Sequence, residues 1–323
     1  GTYKYNPKTD LMNQDTPGLL EILDANGATI ADNVVAIIFA PGSPLGSQNR
    51  APDGTAPVCG GNYTPSNYLD DDGTINNAFV SPTANAVTQF RRGASAQSND
   101  SMVYITREEI FNARNVRAKL DELTRKAAEC IADYGRRNAG GASGLPWSGR
   151  FRSPTDDYLT DANYDDENGR MAGRLPYRVN TSDSDSDNLI GSPYYQLDAS
   201  GLNCPSVTDW PSYFPWWKNW KDHLYYSLAA SFRPDSGATS CGTCLSVNGA
   251  GNYAAVVMFA GAALAGQSRA STGDRLDLAN YLEGRNYGNG SNTSGHSDYE
   301  SGSSGNFNDV LYCINPDLSV TPC

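Results

Sequence analysis

The sequence predicts an α+β fold, with two duplicated antiparallel β-sheet units and one long amphipathic helix between them. Three observations predict it. Sequence blocks within residues 20–105 recur in the same order within residues 245–314. Each copy carries an Asn-Gly pair between apolar runs, a hairpin signal because both turn residues need positive φ. Between the copies, apolar residues fall at alternating spacings of three and four, the period of a helix face.

In copy one, Leu20–Leu23 reads as a short strand leading to Asn26-Gly27, and residues 34–40 (VVAIIFA) read as a buried return strand. In copy two, Leu245–Val247, Asn248-Gly249 and residues 254–260 (AAVVMFA) repeat the pattern. A one-residue gap after Ala40 sets Phe39, Leu45, Gln48 and Arg50 over Phe259, Leu264, Gln267 and Arg269. Asn67-Tyr68-Leu69-Asp70 answers Asn280-Tyr281-Leu282-Glu283, and Asn99-Asp100 answers Asn308-Asp309, each leading into a last strand. The shared Gln and Arg are expected to be scaffold residues that hold the following loop by bonding its backbone carbonyls. A ligand site has no reason to recur in two copies with different loops.

The helix is expected over 106–137. Thr106 with Glu109 forms a capping box. Ala113, Val116, Leu120, Leu123, Ala127, Cys130 and Tyr134 make the buried stripe, while Arg114, Lys119, Arg125 and Lys126 are expected to stay solvated. Gly135 and Gly140-Gly141 are expected to end it.

Composition narrows the function. Lys plus Arg is 24 and Asp plus Glu is 36, a formal net charge of −12. That excess argues against nucleic acid, whose phosphates need a basic face. With 32 Gly, 19 Tyr, 18 Pro and 19% charged residues, the chain reads as a loop-rich secreted or cell-surface protein. It contains no run of eighteen apolar residues and so no membrane span. Starting at Gly1-Thr2-Tyr3, it reads as a processed or trimmed ectodomain.

Of the seven cysteines, Cys313 and Cys323 suit a disulfide that pins the C-terminal tail, and Cys241 or Cys244 is expected in another bridge, with Cys204 as a partner. The odd count leaves one thiol free or paired outside the chain. Zinc fits badly, because Cys241-x-x-Cys244 has no second such pair. No cofactor is required by any motif, with calcium as the one candidate. Asp161, Asn163 and Asp165 place oxygen ligands at alternate positions, as calcium loops do, although Asp166 and Ala172 stand where an EF-hand needs Gly and Glu. Asp183, Asp185 and Asp187 form a second acidic ladder, and Asp70-Asp71-Asp72-Gly73 a third. No nucleophile elbow, zinc-protease helix or phosphate loop is present, and His223 reads as a structural hydrogen-bonding residue. Glycoside hydrolysis needs only two carboxylates, so a secreted hydrolase ranks behind the other readings. Trp210, Trp216, Trp217 and Trp220 cluster with Tyr213 and Phe214, as a sugar-stacking platform, an interface or a satellite core.

The order of these blocks resembles the extracellular or periplasmic part of type IV pilin-like proteins and type II secretion pseudopilins. The residues that carry the resemblance are Ile105-Thr106-Arg107-Glu108-Glu109, Leu145-Pro146-Trp147, residues 223–229 (HLYYSLA), residues 241–249 (CGTCLSVNG), the Ala-Gly-Gln-x-Arg block and Asn280–Gly284. It implies a pilin-like fold with residues 1–105 as a first β repeat lacking its leading helix. Residues 106–323 would be a second unit, made of helix 106–137, an aromatic-rich insertion 148–222 and a β repeat 223–323. It also implies a noncatalytic subunit of a pilus, fimbrium or secretion assembly. Its partners would be other pilin-like subunits, or a hydrophobic N-terminal helix from outside this sequence. The alternative is a secreted carbohydrate-binding or adhesive module using the Trp210–Trp220 cluster.

Overall fold

The computed structural model describes residues 12–52, 62–81, 83, 86–138, 144–151, 164, 166–176, 178–180, 194–196, 207, 209–234, 236, 240–271, 273–289, 297–302 and 306–323. The fold is mixed α+β, with several antiparallel sheets and few helices. The chain divides into two compact units, one containing Thr16–Val116 and the other Arg117–Cys323 together with Leu11–Asp15.

The first unit holds β1 (Leu20–Leu23), β2 (Thr29–Ala40), β3 (Thr88–Arg91) and β4 (Ser101–Thr106) in the order β3-β1-β2-β4. Asn26-Gly27 makes the β1–β2 turn with Gly27 at φ 87°, and Asp24 fixes it by accepting the N–H groups of Asn26 and Ala28. Ile22, Val34, Phe90 and Met102 form the buried core, with Ile37, Phe39 and Tyr104 packed around it. Thr106 caps α1 (Arg107–Phe111) with both halves of the capping box present. The expected single helix is interrupted after this turn, where the Ala113 N–H bonds Ile110, three residues back, instead of Glu109. It restarts as α2 (Arg114–Asn138).

In the second unit α2 is buried from Leu120 to Gly135 on more than the expected stripe, since Ala128, Ile131 and Ala132 are interior too. Gly135 does not end the helix. A Cβ there would stand 2.8 Å from Leu145 and 3.1 Å from Leu318, so its role is close approach. Lys126, expected in solvent, instead pairs with Asp209 at 2.7 Å, ahead of α3 (Trp210–Trp220). The other elements are β5 (Ala172–Arg174), the small hairpin β6 (Arg178–Asn180) and β7 (Tyr194–Gln196), β8 (Leu224–Leu228), β9 (Leu245–Val247), β10 (Ala250–Tyr253), β11 (Ala255–Phe259), α4 (Arg285–Asn289), β12 (Asp298–Tyr299), β13 (Val310–Ile314) and β14 (Val320–Pro322). They build a three-stranded sheet β10-β9-β12 and a five-stranded sheet β14-β13-β11-β8-β5.

The two copies match strand for strand. β1 and β3 run parallel, as do β9 and β12, and β4 closes on β2 as β13 closes on β11. The long β2 of the first unit corresponds to β10 plus β11 of the second. One detail of the sequence alignment is corrected by register. Ala40 faces Ser101 and Phe259 faces Val310, and Ser101 and Val310 each directly follow the Asn-Asp block. Ala40 therefore corresponds to Phe259, Phe39 to Met258 and Ile38 to Val257, and no gap is needed.

Candidate functional site

A shared framework of polar bonds recurs in the two copies. Gln48 accepts the Leu45 N–H at 3.0 Å, and Gln267 accepts that of Leu264 at 2.8 Å. Arg50 donates to the carbonyls of Gly42, Asn67 and Tyr68, and Arg269 to those of Gly261, Asn280 and Tyr281. Each guanidinium also lies over a tyrosine ring, Tyr68 at 5.2 Å and Tyr281 at 4.5 Å. Asp70 accepts the N–H of Asp100, whose carboxylate accepts that of Asp70; Glu283 and Asp309 exchange the same bonds. Asn77 and Asn286 donate to the second carboxylate of each pair. Gln48 also donates to the Leu69 carbonyl and Gln267 to that of Ala279, so the Gln and Arg residues bond backbone carbonyls in both copies.

The framework carries a sheet whose outer face differs between the units. Tyr226, Val257 and Tyr312 lie in one line across β8, β11 and β13. Helix α2 meets that line at Tyr312. Asp121 accepts the Tyr312 hydroxyl at 3.1 Å, and Arg136 donates to the Leu318 carbonyl beyond β13. Val257 and Tyr226 are fully buried, and Tyr312 is 6% exposed. In the first unit the matching pair is Ile38 and Val103, directly opposite each other on β2 and β4. They are 66% and 64% exposed, with Ile105 and Val35 open beside them. This strip gathers exposed apolar side chains side by side, a pattern that marks contact sites.

The residues singled out in the sequence fall elsewhere. Trp210, Trp217 and Trp220 are interior side chains with no open ring face; Trp216 alone of the four is half-buried, stacked on Trp220 at 5.3 Å. The cluster packs on α2 through Tyr213, whose hydroxyl meets Lys119 at 2.8 Å. Cys313 is bonded to Cys323, and Cys241 to Cys244, so neither Cys241 nor Cys244 pairs with Cys204 as expected. The bridge closes within Cys-x-x-Cys because Ser231 accepts the N–H groups of Gly242 and Thr243 and holds that turn together. Cys130, placed on the helix stripe, is disulfide-bonded as well. Asp161, Asn163, Asp165 and Cys204 lie outside the described residues. Asp71 and Asp72 of the third acidic run are occupied by N–H groups of their own turn. Among the described residues no three His, Cys, Asp or Glu side chains are grouped to hold a metal ion, and no helix is long and apolar enough to cross a membrane.

One buried cluster was not foreseen. The segment before β1 docks on the second unit, with Gln14 donating to the carbonyls of Ala260 and Gly261. Asp15 then lies 3.0 Å from His223 and 3.2 Å from Arg269. Burial pushes the Asp15 carboxyl up, but His223 and Arg269 outweigh it and bring it down to about 2. Burial holds the His223 imidazole below its ordinary value, against the pull of Asp15. Asp309 moves the other way: burial, then the Glu283 charge, hold its carboxyl well above the usual range.

These shifts predict the acid response. The folded state disfavours charged His223, so its contribution is complete above 6.5 and is lost as pH falls below it. Asp15 contributes above 3.8 and is lost as pH falls towards 2. Asp309 binds its proton more tightly when folded, so it gains stability on acidification. Urea midpoints across pH 3–8 should therefore decline in acid, His223→Gln should flatten the upper step, and Asp309→Asn should steepen the decline. A His223→Gln profile parallel to that of the parent would contradict the assignment.

Comparisons with family models, with curated proteins and with solved structures return no match.

Proposed function

We propose that the chain is a noncatalytic assembly subunit, similar to pilins and pseudopilins, whose first unit completes its fold by docking an amphipathic helix from another polypeptide segment. One observation carries this reading. In the second copy Tyr226, Val257 and Tyr312 are buried and α2 bonds the line at Tyr312, whereas the first copy leaves Ile38 and Val103 in water. Covering one such side chain is worth about 1.5–3 kcal/mol, so a docked helix gains from each. The incoming helix needs a stripe like that of Leu120, Leu123, Ala127 and Tyr134, but no acceptor where Asp121 sits, because Val103 stands in place of Tyr312. Disulfides at Cys241–Cys244 and Cys313–Cys323 support an extracellular or periplasmic setting, where thiols oxidise.

The test is incorporation in the source cell of the gene's full product carrying Ile38→Ser and Val103→Ser. Both positions are exposed, so thermal stability of the purified protein should stay within about 0.5 kcal/mol. Incorporation into the filament or envelope assembly should fall at least about tenfold, the factor that 1.4 kcal/mol represents. Unchanged incorporation would refute the reading. The adhesive alternative has Trp216 as its one half-open ring, and array binding of sugars by the purified chain tests it.

A further inference from the structure

We propose that the edge of β2 over Val35–Ala40 takes an antiparallel strand from a partner polypeptide, in the position that β8 fills in the second unit. The inference rests on the assembly reading above but uses a different surface, the backbone edge rather than the sheet face. In the second unit β11 is paired on both sides, by β13 and by β8. In the first unit β1 pairs with β2 as far as Val34, and β4 occupies the other side from Val34 to Ala40. Among the described residues no strand continues the β1 side past Val34.

This stretch lacks the usual protection of an open edge. Proteins blunt free edges with charges, Pro or bulges placed within them. Residues 35–40 read Val-Ala-Ile-Ile-Phe-Ala, with no charge and no Pro until Pro41 ends the strand. The register irregularity falls on Val35, the first residue of the stretch, and Ala36–Ala40 pair with β4 in unbroken register. Such an edge is a template for strand addition.

The second copy also specifies the occupant. Ser227 of β8 pairs with Val256 and receives the Tyr299 hydroxyl. In the first unit Phe90 stands where Tyr299 does, packed on Phe39 at 5.6 Å, and Ile37 matches Val256. Phe90 has no hydroxyl to satisfy. The added strand therefore carries an apolar residue opposite Ile37, within an uncharged, β-branched or aromatic run of about five residues.

Hydrogen exchange on the intact chain tests this. The probe is a synthetic peptide with the β8 sequence, valine in place of its serine, flanked by lysines for solubility. In the free protein, amides of residues 35–40 that do not bond β4 should exchange fast. The peptide should slow them at least tenfold, and a version with a central proline should not. Val35→Lys, at an exposed position, should keep the thermal midpoint and abolish the protection. Slow exchange before peptide is added, or no protection after it, overturns the strand proposal. Loss of assembly in the Ile38→Ser, Val103→Ser protein would leave the docking face standing in that event, so the two failures are told apart.

Discussion

Arg269→Ala is expected to destabilise the second unit by about 3–5 kcal/mol, the usual consequence of removing one partner from a buried ion pair. The side chain is 2% exposed and spends its donors on Asn280 at 2.6 Å, Gly261 at 3.0 Å and Asp15 at 3.2 Å. Its loss leaves Asp15 buried with only His223 beside it and strips two loop carbonyls of their donor. Arg50 makes the same three carbonyl contacts, but its remaining partner is the neutral Gln48, and it is only half-buried. Arg50→Ala should therefore destabilise the first unit less, by about 1–2 kcal/mol. All five tryptophans lie in residues 117–323, so their fluorescence in urea reports the second unit separately. If Arg269→Ala left that transition in place, the framework would be ornamental to stability and the Gln and Arg would need another explanation.

The repeat was legible in the sequence because its recurring residues are those whose side chains bond backbone. A Gln or Arg that must reach fixed carbonyls cannot drift, whereas apolar strand residues exchange freely among Val, Ile, Ala and Met. That freedom misled the alignment. Matching Phe39 to Phe259 satisfies the letters but slips the strand by one position, and one position turns every side chain to the opposite face. Only the pairing of Ala40 with Ser101 and of Phe259 with Val310 corrects it. Without that correction the bare strip at Ile38 and Val103 would be assigned to the wrong side of the sheet. The Thr106 cap was legible because a capping box is local. The break after Phe111 was not, nor was the ion pair of Lys126, whose partner Asp209 is far along the chain. Asp15 and His223 carry no local signal at all, since over two hundred residues separate them and the fold alone brings them to 3.0 Å.

Trp217→Ala should destabilise the second unit by about 3–5 kcal/mol, while Trp216→Ala, at the adjacent position, should cost about 1 kcal/mol. The difference is burial. Trp217 is fully enclosed, stacked on Phe214 at 5.6 Å and met edge-on by Tyr164 at 6.2 Å, with the Lys221 ammonium 5.4 Å from its ring. Truncating it opens a cavity among Phe214, Tyr164 and Lys221. Trp216 is half-buried and shares one stack with Trp220. A sugar-binding site requires an open ring, so Trp216→Ala is the discriminating variant. It should fold and leave assembly unchanged if the bare sheet of the first unit is the working surface. If it instead folds, assembles normally and loses binding on a glycan array, the adhesive function belongs to this chain as well. Trp217→Ala cannot make that distinction, because a ring at the centre of the packing fails in both cases through stability.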